Sequence, residues 1–255
     1  MRLTMTKNEL KKLAAQKSLD EIKSGMVIGL GSGSTFKYAL EIIAEKIKNG
    51  ELKDIKGVPS SIETEKKAKE LGIPVITLNQ LSSIQHQASG IIDVTIDGAD
   101  EACPDPDLSG EGSSGEGSKS FHLIKGGGGA LLREKILFQN SKRTVVIIDD
   151  SKLSDALGSK SLLPVEVIPF AIESEKKYLE SLGAKVSLRL DEDGGDFITD
   201  EGNLILDADF GGIKNLVELN NQLNNRAGIV EHGLFLNAAS VIYCASNDGV
   251  RIYKS

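Results

Sequence analysis

The spacing of apolar residues changes several times along this chain, and each change marks an element. Between residues 7 and 24, Leu10, Leu13, Ala14, Leu19 and Ile22 recur near helical spacing and predict one amphipathic helix. Residues 26–30 form a short apolar run that ends in Gly31-Ser32-Gly33-Ser34-Thr35. A helical pattern over 36–47 follows and stops at Asn49-Gly50. The alternation continues with strands expected over 55–58, 75–78, 91–96 and 145–148, and helices over 62–71 and 130–138. Strands alternating with helices predict an α/β fold built on a mostly parallel sheet covered on both faces.

From Pro164 the pattern differs. Strand-like PVEVIPF is followed by a helical stretch over 174–182, strands over 185–190 and 204–206, and a helix over 213–223. This is a smaller α+β unit of the β-α-β-β-α, ferredoxin-like kind. Residues 240–245 and 250–253 flank Asn247-Asp248-Gly249 and read as a hairpin with type I′ turn chemistry, its strands returning to the first domain. The expected organisation is residues 1–160 plus 233–255 as the main domain, with 161–232 inserted as the smaller one. Residues 109–120, SGEGSSGEGSKS, offer almost nothing to bury and are expected to form a flexible loop.

Composition narrows the function. The 30 Lys+Arg against 37 Asp+Glu leave a net charge of −7, which opposes attraction to nucleic acid or an anionic membrane. No apolar run approaches the ~20 residues of a membrane span, and the charged residues 1–12 do not read as a secretory leader. Cys103 and Cys244 stand alone, without a CxxC pair or zinc spacing, which fits a reducing, cytoplasmic setting. Glycine accounts for 27 of 255 residues, above the ordinary share of about 7%, and many of the glycines are clustered.

Four clusters could carry chemistry. The loop at 31–35 joins a strand to a helix, where backbone N–H groups and the helix dipole can hold a phosphate. It lacks the third glycine of a dinucleotide fingerprint, and no GxxxxGK[ST] occurs, so a plain glycine turn stays open as the simpler reading. Asp97-Gly98-Ala99-Asp100-Glu101 stands at the carboxyl end of an apolar strand, where α/β sheets bind ligands. Three acids so close together repel one another, an arrangement suited to acid-base work, although a solvated turn would look the same. Lys125-Gly126-Gly127-Gly128-Gly129-Ala130 can form an anion-binding concavity, and Glu134 lies about one turn into the helix that follows, facing either that cavity or solvent. Asp149-Asp150-Ser151-Lys152 supplies a cation at another strand end. His86, His122 and His232 make no HExxH, and GxSxG is missing, which argues against a metalloprotease or a serine hydrolase.

In order along nearly the whole chain, GLGSGST, DGADE, KGGGGALLREKI, DDSK, LPVEVIPF, TDEGNLILD and VEHGLF closely resemble type A ribose-5-phosphate isomerase, and VEHGLF and LLREK are similar to its plant-type branch. The resemblance implies a Rossmann-like domain with an inserted smaller domain, assembled as a homodimer or homotetramer. It also implies interconversion of ribose 5-phosphate and ribulose 5-phosphate through an enediolate, with no cofactor and no metal. Carried over residue by residue, substrate contacts fall on Ser32, Gly33, Ser34, Thr35, Asp97, Gly98, Ala99, Asp100, Lys125, Gly126, Gly127, Gly128 and Lys152. Glu134 would be the general base, Asp97 would help open the sugar ring, and Asp100 and Lys125 would hold the reacting oxygens. The link between Asp100 and Lys125 is longer than the resemblance leads one to expect. Two other readings are a related sugar-phosphate isomerase or deaminase, and a non-catalytic sugar-phosphate sensor. The sensor would need a DNA-binding helix-turn-helix, for which the N-terminal helix leaves no room.

Overall fold

The computed structural model describes residues 4–84, 91–105 and 120–255. The tract expected as a flexible loop over 109–120 lies outside the described residues except for Ser120, which is buried and donates to Asn237 Oδ1 at 2.5 Å.

The main sheet has six strands: β1 (Val27–Leu30), β2 (Lys56–Pro59), β3 (Val94–Gly98), β6 (Thr144–Asp149), β12 (Val241–Ser246) and β13 (Gly249–Lys254). Their order is β13-β12-β6-β3-β1-β2, parallel throughout except for the β12–β13 hairpin. Successive residues of β6 explain why it reads as one apolar run. Val145 and Ile147 pack under α1 (Lys7–Ser18) and α2 (Gly33–Lys48), whereas Val146 and Ile148 pack with Phe138 of α5 (Leu131–Gln139) on the other face. A strand covered on both sides cannot alternate. From β1 the chain runs to β2 on one side and then to β3 on the other. That reversal opens a crevice at the carboxyl ends of β1 and β3, the place where doubly wound sheets bind ligands.

Several boundaries differ from the expected ones, each for a local reason. The first helix ends at Ser18, and a 3-10 turn, Leu19–Glu21, follows. Here Glu21 is held by Arg143 Nε and Nη2 at 2.7 and 3.0 Å and by the Tyr243 hydroxyl at 2.8 Å, contacts that replace helical continuation. The strand expected over 75–78 shrinks to a single bridge, Gly57 with Val75. After α3 (Ile62–Glu70), Thr77 caps α4 (Leu78–Ile84): its hydroxyl accepts from Gln80 N, and Gln80 Oε1 accepts from Thr77 N. Ile91 and Ile92 are buried outside any strand, so β3 begins at Val94 and carries Asp97 and Gly98 within it. In the terminal hairpin neither Asn247 nor Asp248 has positive φ; the positive value, 118°, falls on Gly249, so the turn is not type I′.

Two smaller sheets complete the molecule. β4 (Glu101–Pro104), β5 (Phe121–Ile124) and β11 (Leu234–Phe235) pair antiparallel in the order β11-β5-β4, an arrangement that four-residue strands separated by the 105–120 link do not announce. The other sheet comprises β7 (Leu163–Val167), β8 (Lys185–Leu188), β9 (Leu204–Asp209) and β10 (Ile229–His232), ordered β10-β7-β9-β8. With α6 (Ile172–Ser181) and α7 (Leu216–Asn224), this is the expected ferredoxin-like succession, closed by a fourth strand, β10. Leu163, Val165, Leu179, Leu206, Leu219 and Leu223 form its core. No described helix is long and apolar enough to cross a membrane.

Candidate active site

The crevice between β1 and β3 gathers nearly all the residues singled out above. Gly31 must be glycine, because a Cβ there would lie 2.3 Å from Asp97 Oδ1 and 2.6 Å from the Ile96 carbonyl. The close approach lets Ser32 N donate to Asp97 Oδ1 at 2.9 Å, and Gly98 N donates to the same oxygen at 2.8 Å. Ser32 precedes α2 but makes no side-chain cap, so its hydroxyl turns instead to Ser60 at 2.7 Å and Ser61 at 3.2 Å. The uncapped first turn of α2, at Gly33, Ser34 and Thr35, borders the cavity and carries the helix's partial positive charge.

Lys125 lies at the centre, fully enclosed at the end of β5. Its ammonium donates to the Gly98 carbonyl at 2.6 Å and stands 3.0 Å from Asp97 Oδ2 and 3.3 Å from Glu134 Oε2. The Phe138 and Phe235 rings flank it, each with its centroid 5.6 Å away. One cation thus serves two buried carboxylates. Burial works against the charge of Lys125, but Asp97 and then Glu134 outweigh it and hold the ammonium above its ordinary pKa. For Glu134, burial comes first and the Asp97 charge second; together they outweigh Lys125 and push the carboxyl up to about 8. For a single ion pair these shifts would be opposed. The distances resolve this: Lys125 is committed chiefly to Asp97, and Glu134 is the surplus acid. Asp97 Oδ2 and Glu134 Oε2 are also the buried carboxylate oxygens without an aligned hydrogen bond among the described residues.

Asp97 is fully buried, whereas Asp100 borders the cavity. Asp100 Oδ2 accepts from Gly127 N at 2.7 Å, and a Cβ on Gly127 would lie 2.7 Å from Asp100 Oδ1, so the glycine loop can close on this carboxylate only without side chains. Gly98, Ala99, Gly126, Gly127 and Gly128 line the same cavity. Lys152, on the 3-10 turn Asp150–Lys152 after β6, also reaches it, and its ammonium has no protein partner among the described residues.

Sequence reasoning missed Lys11, which α1 brings to the cavity and whose ammonium donates to Ser34 Oγ at 2.8 Å. It also missed the hydroxyls of Ser60, Ser61 and Thr64 behind Ser32. A lysine on the polar side of an amphipathic helix carries no local signal of a tertiary role. His122 and His232 lie outside the cavity, and no group of three or more His, Cys, Asp or Glu among the described residues could hold a metal ion.

The family described as Ribose 5-phosphate isomerase A (phosphoriboisomerase A) matches residues 56–249. Ribose-5-phosphate isomerase A of Desulfatibacillum aliphaticivorans is 49% identical over 250 residues, covering 98% of this chain and 99% of that protein. The chain belongs to the ribose 5-phosphate isomerase A family. A plant member of the family, probable ribose-5-phosphate isomerase 2 of Arabidopsis thaliana, is 41% identical over 259 residues, covering 98% and 88%, below the bacterial relative. A solved D-ribose-5-phosphate isomerase in complex with phospho-erythronic acid superposes with a TM-score of 0.85 at 37% identity, covering 98% of this chain and 100% of that one. Family membership makes the chain an enzyme, and no finding favours the deaminase or the sensor.

Proposed function

We propose that this cavity interconverts ribose 5-phosphate and ribulose 5-phosphate, with Glu134 as the base that removes the proton from carbon 2 of the open-chain aldose and returns it to carbon 1. The observation that carries the reading is the surplus carboxylate. Glu134 borders the cavity, is buried, has an oxygen without an aligned donor, and holds its proton more tightly than a free carboxylate. A base of raised pKa is matched to abstracting a weakly acidic C–H proton near neutral pH. Lys125, Asp100 and the glycine amides surround the place where the enediolate oxygens gain charge, and preorganised donors there stabilise that charge without having to reorganise. Asp97 lies behind Lys125, and its burial supports the role of fixing that ammonium; the more open Asp100 is better placed for ring opening. The phosphate belongs at the first turn of α2 with Ser32, Gly33, Ser34 and Thr35, neutralised by Lys152 and Lys11. Phospho-erythronic acid, the ligand of the solved relative, joins a phosphate to a carboxylate, the two anionic ends such a cavity would hold.

The domain division at 1–160 with 233–255 and 161–232 belongs to the same proposal, supported by a core of the six-stranded sheet distinct from that of the smaller unit, which Cys103, Ile124, Leu157 and Leu234 join from the first domain's side. A cytoplasmic homodimer or homotetramer is consistent with two buried free thiols and a Phe170 ring that is 97% exposed in the single chain. Light scattering tests the assembly.

Glu134→Gln tests the base while preserving side-chain volume. Turnover falls by about 10² to 10⁴-fold, the usual contribution of a general base. Solvent deuterium exchange at carbon 2 is lost in parallel, and calorimetry still detects binding of phospho-erythronic acid. Near-normal turnover would shift the role of base to Asp97 or Asp100.

A further inference from the structure

Arg189 belongs to the second sheet, directly after β8, yet its guanidinium reaches the glycine loop. Nη1 donates to the carbonyls of Gly126 at 2.9 Å and Gly127 at 3.0 Å. Nε, at 2.9 Å, and Nη2 take the two carboxylate oxygens of Asp207 on β9. The backbone at the root of the side chain is fixed as well: Arg189 N donates to the Ile205 carbonyl at 2.9 Å, and the Arg189 carbonyl accepts from Phe197 N at 3.0 Å. Both side chains are largely enclosed, at 13% and 14% exposure, where an unpaired guanidinium or carboxylate would be costly.

The geometry of the peptide unit gives this contact its meaning. Every described peptide is trans, so the C=O and N–H of one unit point in opposite directions. Holding the carbonyls of residues 126 and 127 on the Arg189 side therefore turns the N–H groups of Gly127 and Gly128 to the other side. Gly127 N is found there, on Asp100 Oδ2 at 2.7 Å. Gly128 borders the cavity, and its N–H donates to no acceptor among the described residues. A chain of four glycines has wide freedom in the absence of such a restraint.

We infer that Arg189, braced by Asp207, is a positioning residue for the isomerisation: it aims the Gly128 N–H at the oxygen that gains charge in the enediolate and holds Asp100 in register through Gly127. The inference rests on the reading of the cavity given above. It also assigns the inserted unit a task, since the residue that sets the loop comes from the ferredoxin-like sheet. Arginine is required because one planar fork must grip two carbonyls and a carboxylate together, which the three tetrahedral donors of lysine cannot reproduce.

Ribose 5-phosphate turnover, inhibition by inorganic phosphate and melting temperature, measured for the full-length Arg189→Ala and Arg189→Lys variants, test it. In Arg189→Ala, kcat falls on the order of 10²-fold, the scale of a small misplacement near the reacting atoms. KM and phosphate inhibition change little, because the phosphate contacts lie on other loops. Added guanidinium ion restores part of the lost turnover and sodium chloride of equal strength does not, a response that a merely structural role would not give. Arg189→Lys melts like the parent but stays slow. If Arg189→Ala does not fold, Arg189→Lys and Asp207→Asn, which keeps its shape while loosening the brace, carry the same expectations. Near-normal kcat, equal losses in kcat and phosphate inhibition, failure of guanidinium rescue, or full activity in Arg189→Lys overturns the inference. Glu134→Gln, assayed alongside, separates the two claims. If Glu134→Gln is inactive and the Arg189 variants are normal, only the role of Arg189 fails; if Glu134→Gln is active, the reading of the cavity itself fails.

Discussion

Glu134 and Asp97 compete for one ammonium, and the acid that loses is the one that borders the cavity. This fixes the sign of a pH dependence. Only ionised Glu134 can accept a proton from carbon, so kcat/KM, which reports the free enzyme, falls as the pH drops through the Glu134 pKa. Because burial and Asp97 raise that pKa, the acid limb lies far above the ordinary carboxylate range, toward pH 8. A limb near 4.5, or one near pH 6, where the substrate phosphate takes its second proton, would contradict the assignment. Asp97 and Lys125 were legible in the sequence because an acid, a lysine and clustered glycines fall at strand ends, whereas Glu134, inside α5, was left facing either the cavity or solvent until the resemblance was added. Lys11 and Arg189 were not legible, since a basic residue on a polar helix face or a partly exposed strand looks solvated until the fold brings a partner to it.

At the scale of elements, apolar content marked β1 and β6 correctly but misled at 75–78 and at 91–93. Ile91 and Ile92 are as buried as any strand residue, yet they sit in a loop, where Asp93 Oδ2 accepts from Val27 N at 2.9 Å and its other oxygen from Lys142 at 2.8 Å. The start of α4 was missed in the same way, with a strand expected over 75–78, although Thr77 followed three residues later by Gln80 spells a capping box. The strand β10 ends on His232, which is completely buried, accepts from Leu234 N through Nδ1 at 3.3 Å and meets Asn224 Oδ1 through Nε2 at 3.1 Å. Burial and then Lys135 lower its pKa to about 3, so the fold holds it neutral. The unfolded chain protonates this imidazole near 6.5, so its contribution to stability is complete above that pH and is lost as the pH falls toward 3. Between pH 7.5 and 5, urea unfolding should record a loss of about 2 kcal/mol from this group. His232→Gln starts less stable at pH 7.5 and shows a flatter slope; an unchanged slope would mean that the buried imidazole is not the source.

The molecule as a whole tolerates a long link in its middle because the chain is tied on both sides of it. Asp105 N donates to the Ser120 carbonyl at 2.9 Å, and Pro104 pairs with Phe121. Replacing residues 106–119 with a short turn should leave melting temperature and kcat/KM almost unchanged, since loop closure varies by only about 0.6 kcal/mol per doubling of length. Calorimetry and a rate assay check this, and a fall of many degrees would show that the segment is docked. The order of assembly is set by another tie. β6 ends at Asp149, and its neighbour β12 starts only at Val241, after the whole inserted sheet. A ribosome adding about 5 to 20 residues per second leaves the β6 edge bare for roughly 5 to 20 seconds of synthesis. During that interval the nascent chain already holds every proposed catalytic group together with an unpaired strand that can template aggregation. A premature stop between the end of β6 and residue 241 would make that state permanent, releasing a complete set of catalytic side chains on a sheet with no means of closing its own edge.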